Sequence, residues 1–299
     1  MRNVVSVEEK LPVVVGLDGM PAGQHVLDAA AAEAADRGVP LEIVHAWPGR
    51  RAGSPRQRLM RPDPAEGRHL LELAARRARH IHPALLVRTE LVDDSAAETL
   101  VQRSAQACLV VVGHRGETTL RHGWGSTAAY LAHHSRCPLL VHRGSAPGRG
   151  PVVVAASGRP TATAGCAYEA ASLAGCPLVA VHVRAPEETG TGPAGSRLTA
   201  SIATWTAVWP DVPCEPLVIG EAELAYTLDR ASRRGRLLVA GRGRKGWFVE
   251  TLYSIGSIAP GGRQQCPVLL VPPGWPVTGT PMNVGPRRSD EHGSPTVPA

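Results

Sequence analysis

The chain has 299 residues, 43% of them apolar and 4% aromatic, with a formal net charge of +6. That length accommodates two ordinary domains, and the apolar share supports cores built from Val, Leu and Ala. The positive charge comes largely from scattered arginines, as in Arg76-Arg77-Ala78-Arg79 and Arg233-Arg234. No basic run is interleaved with aromatic residues for base stacking, so nucleic acid is not an expected partner. No apolar run approaches bilayer length, and Glu8 and Glu9 stand where a signal peptide would be apolar. A cytoplasmic protein with no membrane association is expected. The six cysteines form no CxxC pair and read as reduced thiols, with Cys137 and Cys266 as small core residues ahead of Pro.

In chain order, short β-rich runs alternate with Ala-rich helical stretches. Strands are predicted near 12–17, 41–46, 85–91, 108–112 and 138–142, with helices near 22–37, 66–82, 95–106 and 125–135. Gly38 suits the end of the first helix and Pro40 the restart. Residues 49–65 carry Gly, Pro and Arg without periodicity and read as a surface loop. Continuous apolar strands between helices imply a parallel sheet covered on both faces.

The pattern then repeats. Val13-Val14-Val15-Gly16-Leu17-Asp18-Gly19 is echoed by Val152-Val153-Val154-Ala155-Ala156-Ser157-Gly158, and Val44-His45 by Val181-His182. Leu109-Val110-Val111-Val112-Gly113 is echoed by Leu237-Leu238-Val239-Ala240-Gly241, and Cys137-Pro138-Leu139-Leu140-Val141 by Cys266-Pro267-Val268-Leu269-Leu270. Four paired landmarks in one order indicate an internal duplication. The expected fold class is α/β, with two tandem doubly wound five-stranded parallel-sheet domains of Rossmann-like form. The first domain is placed at 1–144, a turn-rich linker at 145–150, the second domain at 151–272, and a Pro/Gly/Ser-rich disordered tail at 273–299.

In such sheets ligands sit outside the carboxyl ends of the strands, at the switch point between strands 1 and 4. Asp18, directly after strand 1, and the loop opening at Gly113 converge there. Asp18 has two readings: an acceptor for a ribose or base, or a turn residue capping Gly19 and the next helix. The loop reads Gly113-His114-Arg115-Gly116, eight residues, then Gly125-Ser126-Thr127. Glycines permit close backbone approach to an anion, and a Gly-Ser step opening a helix aims N–H groups at it. The second half carries Gly243-Arg244-Lys245-Gly246, nine residues, then Gly256-Ser257.

The strand-1 motif through Gly19, Val44-His45-Ala46-Trp47 and the Gly113 loop resemble the universal stress protein family. Cys137-Pro138-Leu139-Leu140-Val141 and the second half extend the likeness to about residue 272. The chain thus resembles a tandem universal stress protein of a kind common in high-GC actinobacteria. ATP-binding members use a Gly-x2-Gly-x9-Gly-Ser/Thr loop, an Asp after strand 1 and backbone near the end of strand 2. The resemblance implies ATP or a related adenine nucleotide, with Asp18 and Ala46 on adenosine. Gly113, Gly116, Gly125, Ser126 and Thr127 would take the phosphates, and Arg115 would add a charged contact or lie exposed in the loop. The spacer from Glu117 to Trp124 is one residue short of that pattern, and Ala128 stands where many members place a second hydroxyl.

The second half keeps the nine-residue spacer, yet Gly243 starts two residues after Gly241, Ser157 replaces Asp18, and Pro260 interrupts the following helix. That site reads as degenerate. His133-His134 with Cys137 lack a further clustered ligand, so no metal is expected, and His45 and His182 read as satisfied core histidines. No nucleophile, base and orienting group assemble into a catalytic set, which points to a non-catalytic regulatory protein; slow ATP hydrolysis is the weakest reading. The main alternative is a nucleotide-free interaction scaffold. In it both loops are relics and the two domains pair as a pseudo-dimer through Leu139–Val141 and Val268–Val271, with a homodimer as a further option.

Overall fold

A computed structural model describes residues 10–47, 63–114, 126–143, 149–185, 192–242 and 265–277. The first half runs β1 (Val13–Leu17), α1 (Gly23–Arg37), β2 (Leu41–Ala46), α2 (Pro64–Ile81), β3 (Val87–Val92), α3 (Ala96–Arg103), β4 (Leu109–Gly113), α4 (Ser126–His134) and β5 (Leu139–His142). The second runs β6 (Val152–Ala155), α5 (Ala162–Leu173), β7 (Leu178–Val183), α6 (Gly192–Thr206), β8 (Cys214–Ile219), α7 (Leu224–Arg234), β9 (Leu237–Gly241) and β10 (Val268–Val271).

The elements start and stop where local chemistry directs. Asp63 accepts a hydrogen bond from the Ala65 N–H at 2.8 Å and Pro64 opens α2, while Ser95 and Thr161 cap α3 and α5 through their hydroxyls. Gly38 ends α1 at φ 61°, a left-handed conformation that releases its N–H to the carbonyls of Ala34 and Ala35.

All ten strands join one sheet in the order β3-β2-β1-β4-β5-β10-β9-β6-β7-β8. Within each half the pairing is parallel, and the strand order of the second half repeats that of the first. Apolar runs such as Val13-Val14-Val15 are buried on both faces because helices cover both. Val13, Val15, Ile43 and Val111 face one core with residues of α1, α2, α5 and α6. Val14, Val44, Val110 and Val112 face a second core with Leu100, Leu131 and Leu228. Both cores run across the two halves without a break.

The halves meet where β5 pairs antiparallel with β10, Val141 opposite Val268, Leu140 opposite Leu269 and Leu139 opposite Leu270. Neither last strand is left as an open edge, which removes a template for unwanted pairing.

Residues 273–277, expected above to begin a disordered tail, fold back onto the second half instead. Pro273-Gly274 forms the centre of a turn in which the Trp275 N–H donates to the Pro272 carbonyl at 3.4 Å, and Gly274 takes φ 74°. Pro followed by a positive-φ Gly is the composition of a type II turn. Val277 ends 7% exposed within the first core, with Trp275 packed beside it, so apolar contact overrides the local Pro/Gly signal. Residues 278–299 lie outside the described residues.

Candidate functional site

Strand register assembles the carboxyl edge of the first half. Leu17 pairs with His45, so Asp18 arrives beside Ala46; Val15 pairs with Val111, and continuing that register sets Leu17 opposite Gly113. Asp18, Ala46 and Gly113 thus share the switch-point edge of β1, β2 and β4. Asp18 is exposed, and its Oδ1 accepts the Met20 N–H at 3.0 Å, while the Met20 carbonyl accepts the Gly23 N–H at 2.9 Å where α1 opens. The carboxylate therefore sits in an Asx-type turn at the positive end of α1. Both readings of Asp18 remain physically compatible, since one oxygen can hold the turn while the group faces solvent.

His45 is half-buried, with Nδ1 2.8 Å from the Leu17 carbonyl oxygen. A carbonyl can only accept, so Nδ1 carries the proton and the ring ties β2 to the end of β1. His182 does the same in the second half, with Nδ1 3.0 Å from the Ala156 carbonyl.

Gly113 closes β4 with its missing side chain toward α1, where an added Cβ would lie 3.0 Å from Val26 Cγ2. The next residue, His114, donates its N–H to the His142 carbonyl at 2.8 Å, and its Nδ1 is buried without a partner. Burial first, then the nearby Arg143 cation, holds the His114 imidazole below its ordinary pKa. Arg143 is 8% exposed; its Nη2 donates to the Gln265 side-chain oxygen across the joint, and its Nη1 has no partner. Burial lowers its pKa as well. His142, also 8% exposed, is lowered by burial and then by His25, against an opposing pull from Asp28. Sequence reasoning missed this buried basic group, although His142-Arg143 directly ends the apolar run of β5.

Ser126 opens α4 and Thr127 is half-buried on its first turn. Ala128, placed where a second hydroxyl was sought, is 2% exposed and belongs to the core. Arg115, Gly116 and Gly125 lie outside the described residues, as does the second-half stretch from Gly243 through Ser257. His133 and His134 are exposed at the end of α4, whereas Cys137 is buried and bonded to the Pro138 carbonyl. Burial pushes its thiol up to about 12, while the two imidazoles stay at the surface.

The second half holds a cavity of about 1170 Å³ at the carboxyl ends of β6, β7, β9 and β10. Ala156 stands where Leu17 stands in the first half, and Ser157, whose hydroxyl donates to the Arg159 carbonyl at 3.0 Å, stands in place of Asp18. Gly241 lets β9 approach α5, since a Cβ there would lie 2.6 Å from Thr163 Oγ1.

A model of the universal stress protein family matches residues 11–143. A universal stress protein of Mycolicibacterium smegmatis is 30% identical over 295 residues, covering 87% of this chain and 97% of the relative. One of Mycobacterium tuberculosis is 28% identical over 288 residues, covering 82% and 91%. Among solved structures, a universal stress protein of Archaeoglobus fulgidus shares the fold at 14% identity and a TM-score of 0.59, covering 88% of this chain and 96% of that one. A putative universal stress protein of Pseudomonas aeruginosa aligns at 18% identity and a TM-score of 0.57, covering 88% and 92%. With two halves of one strand order, a shared switch-point edge and a relative matched over nearly its whole length, the chain belongs to the universal stress protein family.

Proposed function

We propose that the first half binds ATP or a related adenine nucleotide, and that binding, not turnover, is how this cytoplasmic protein acts in a stress response. Asp18 and the backbone at Ala46 take the adenosine. Gly113, Gly116, Gly125, Ser126 and Thr127 take the phosphates, with Arg115 as a charged contact. The observation that carries this reading is the register that sets Asp18 beside Ala46 and Leu17 opposite Gly113 on one sheet edge. Bound nucleotide would stabilise the folded state by mass action and bias a partner interaction through differential affinity.

Calorimetry of the full chain with Mg-ATP tests it. The expected result is saturable binding that Asp18→Ala weakens about tenfold, the loss of one or two good hydrogen bonds to ribose. No heat at millimolar ATP, or an unchanged affinity in Asp18→Ala, overturns the site. Phosphate release above the buffer rate, abolished by a loop substitution, would replace binding with hydrolysis.

A second reading is a nucleotide-free scaffold. The Asp18–Met20 turn and the β5–β10 pairing favour it, because both give these residues structural work without a ligand. Nucleotide released from freshly purified protein on heating counts against it.

A further inference from the structure

The ten-stranded sheet ends in β3 on one side and β8 on the other, and the two edges are equipped differently. A strand in a parallel ladder turns the backbone groups of alternate residues toward its neighbour and the rest outward. On β3 the inward set is marked at both ends. The Leu41 N–H donates to the Leu86 carbonyl at 2.9 Å, and the Trp47 N–H to the Val92 carbonyl at 2.8 Å. With Leu41 opposite Val87 and Ala46 opposite Val92, the inward residues are Leu86, Arg88, Glu90 and Val92. Val87, Thr89 and Leu91 therefore aim their backbone groups away from the sheet. Arg79 Nη2 takes up the outward Val87 carbonyl at 2.9 Å, and that oxygen keeps a second lone pair.

The second half repeats this arrangement with one difference. The Leu178 N–H donates to the Pro213 carbonyl and the Arg184 N–H to the Ile219 carbonyl, so Cys214, Pro216 and Val218 face outward on β8. Cys214 lies opposite Leu178 as Val87 lies opposite Leu41, which puts Pro216 in the place of Thr89. Proline has no N–H to offer, and in the middle of an edge strand it blocks further pairing. β3 carries no proline, and both Arg88 and Thr89 are exposed.

The open edge is also self-complementary. Set antiparallel against a second copy about a two-fold axis at Thr89, Val87 falls opposite Leu91, Arg88 opposite Glu90, and Thr89 opposite itself. Every outward residue then enters a pair that exchanges both of its N–H···O bonds. Arg88 and Glu90 fall in the closer pairs, where opposite charges across strands attract. The Glu90 side chain is 32% exposed and shares Arg103 with Glu42, so two carboxylates divide one guanidinium before a second arrives. Moving the axis to Val87 or Leu91 shortens the ladder and separates Arg88 from Glu90.

We propose that β3 is a homodimer interface: two copies of the chain pair their β3 strands antiparallel about Thr89, and Pro216 keeps β8 closed so that association stops at the dimer. The contact is at the small end of specific interfaces, which sets a micromolar, concentration-dependent equilibrium. It is independent of the nucleotide reading of the first half.

Sedimentation equilibrium of the full chain over about 1–100 μM tests it, with a monomer–dimer equilibrium expected. Thr89→Pro copies the residue that β8 already carries and removes an N–H that β2 does not use. It should weaken the dimer at least about tenfold with little change in melting temperature. Arg88→Glu sets like charges opposite Glu90 and should weaken it at least about threefold, less so at high salt. In Thr89→Cys the paired Cα atoms lie about 5.5 Å apart, within disulfide reach, so mild oxidation should give a covalent dimer that the parent chain does not form. A monomer throughout the range, or a dimer that folded Thr89→Pro leaves unchanged, overturns the proposal. Should Thr89→Pro fail to fold, a dimer unchanged in folded Arg88→Glu overturns it instead. A dimer in which Thr89→Cys gives no cross-link beyond the parent chain's overturns the pairing about Thr89.

Discussion

His182 reaches back to the carbonyl oxygen of Ala156, Nδ1 to oxygen 3.0 Å, and so pins the second strand of its half to the end of the first. His45 and Leu17 repeat the bond at 2.8 Å. The two halves therefore share a side-chain clamp at each carboxyl edge even where Ser157 stands in place of Asp18. Replacing either histidine with Phe keeps the ring and strips the carbonyl of its donor. Each change should lower unfolding free energy by about 1–3 kcal/mol, read from urea melts. Losses under roughly 0.5 kcal/mol at both positions would mean that water takes over the carbonyl and the clamp is idle.

The joint between halves yields a second prediction. Leu140 and Leu269 are opposite one another on β5 and β10, 3% and 4% exposed, and belong to the same core. Leu140→Ala or Leu269→Ala should each cost about 2–5 kcal/mol through lost burial and the cavity left behind. Because the two share a cavity, the double variant should depart from additivity by roughly 0.5 kcal/mol or more. A continuous core on both faces also implies that the chain melts in one transition. Two separate transitions, with Leu269→Ala moving one alone, would contradict that picture.

The third concerns pH. His114 and His142 are both held below the ordinary histidine pKa, mainly by burial. The unfolded chain then binds more protons than the folded one in the window below that ordinary value, about 6.5. Stability should be fully present above about pH 6.5 and fall as the pH drops toward the depressed folded values, by at most about 1.4 kcal/mol per pH unit per histidine. Urea midpoints at pH 7.5 and 5.5 measure the slope, with His142→Gln as the comparison. The variant should show a shallower loss, and an equal or steeper one would remove His142 from the account.

Much of this was legible in the residues. Val13-Val14-Val15 and its echo Val152-Val153-Val154 announce buried strands, and strand alternation with Ala-rich helices announces a doubly wound sheet. The loop expected over 49–65 ran too far, because Asp63 caps and Pro64 opens α2 ahead of residue 66. The β5–β10 contact was half-visible: the strands could be named, while their antiparallel direction depends on how two folded halves face each other. The first residues of the expected tail, 273–277, were misjudged because Pro273 and Gly274 speak for a turn and say nothing of what Trp275 and Val277 will touch once the chain has turned.

By itself, the sequence determined the duplicated order of elements, because strand and helix periods are local properties, and the switch-point rule for doubly wound sheets then pointed to Asp18 and Gly113 on one edge. Tertiary structure alone decided that Arg143 would be buried at the joint and that Trp205 would keep an unanswered N–H. It also decided that the second half would hold the wide cavity. These are outcomes of volume and desolvation summed over segments far apart in the chain. Ala156, Trp205 and Trp275 make a wall only when the sheet, α6 and the returning C-terminal segment occupy the same space.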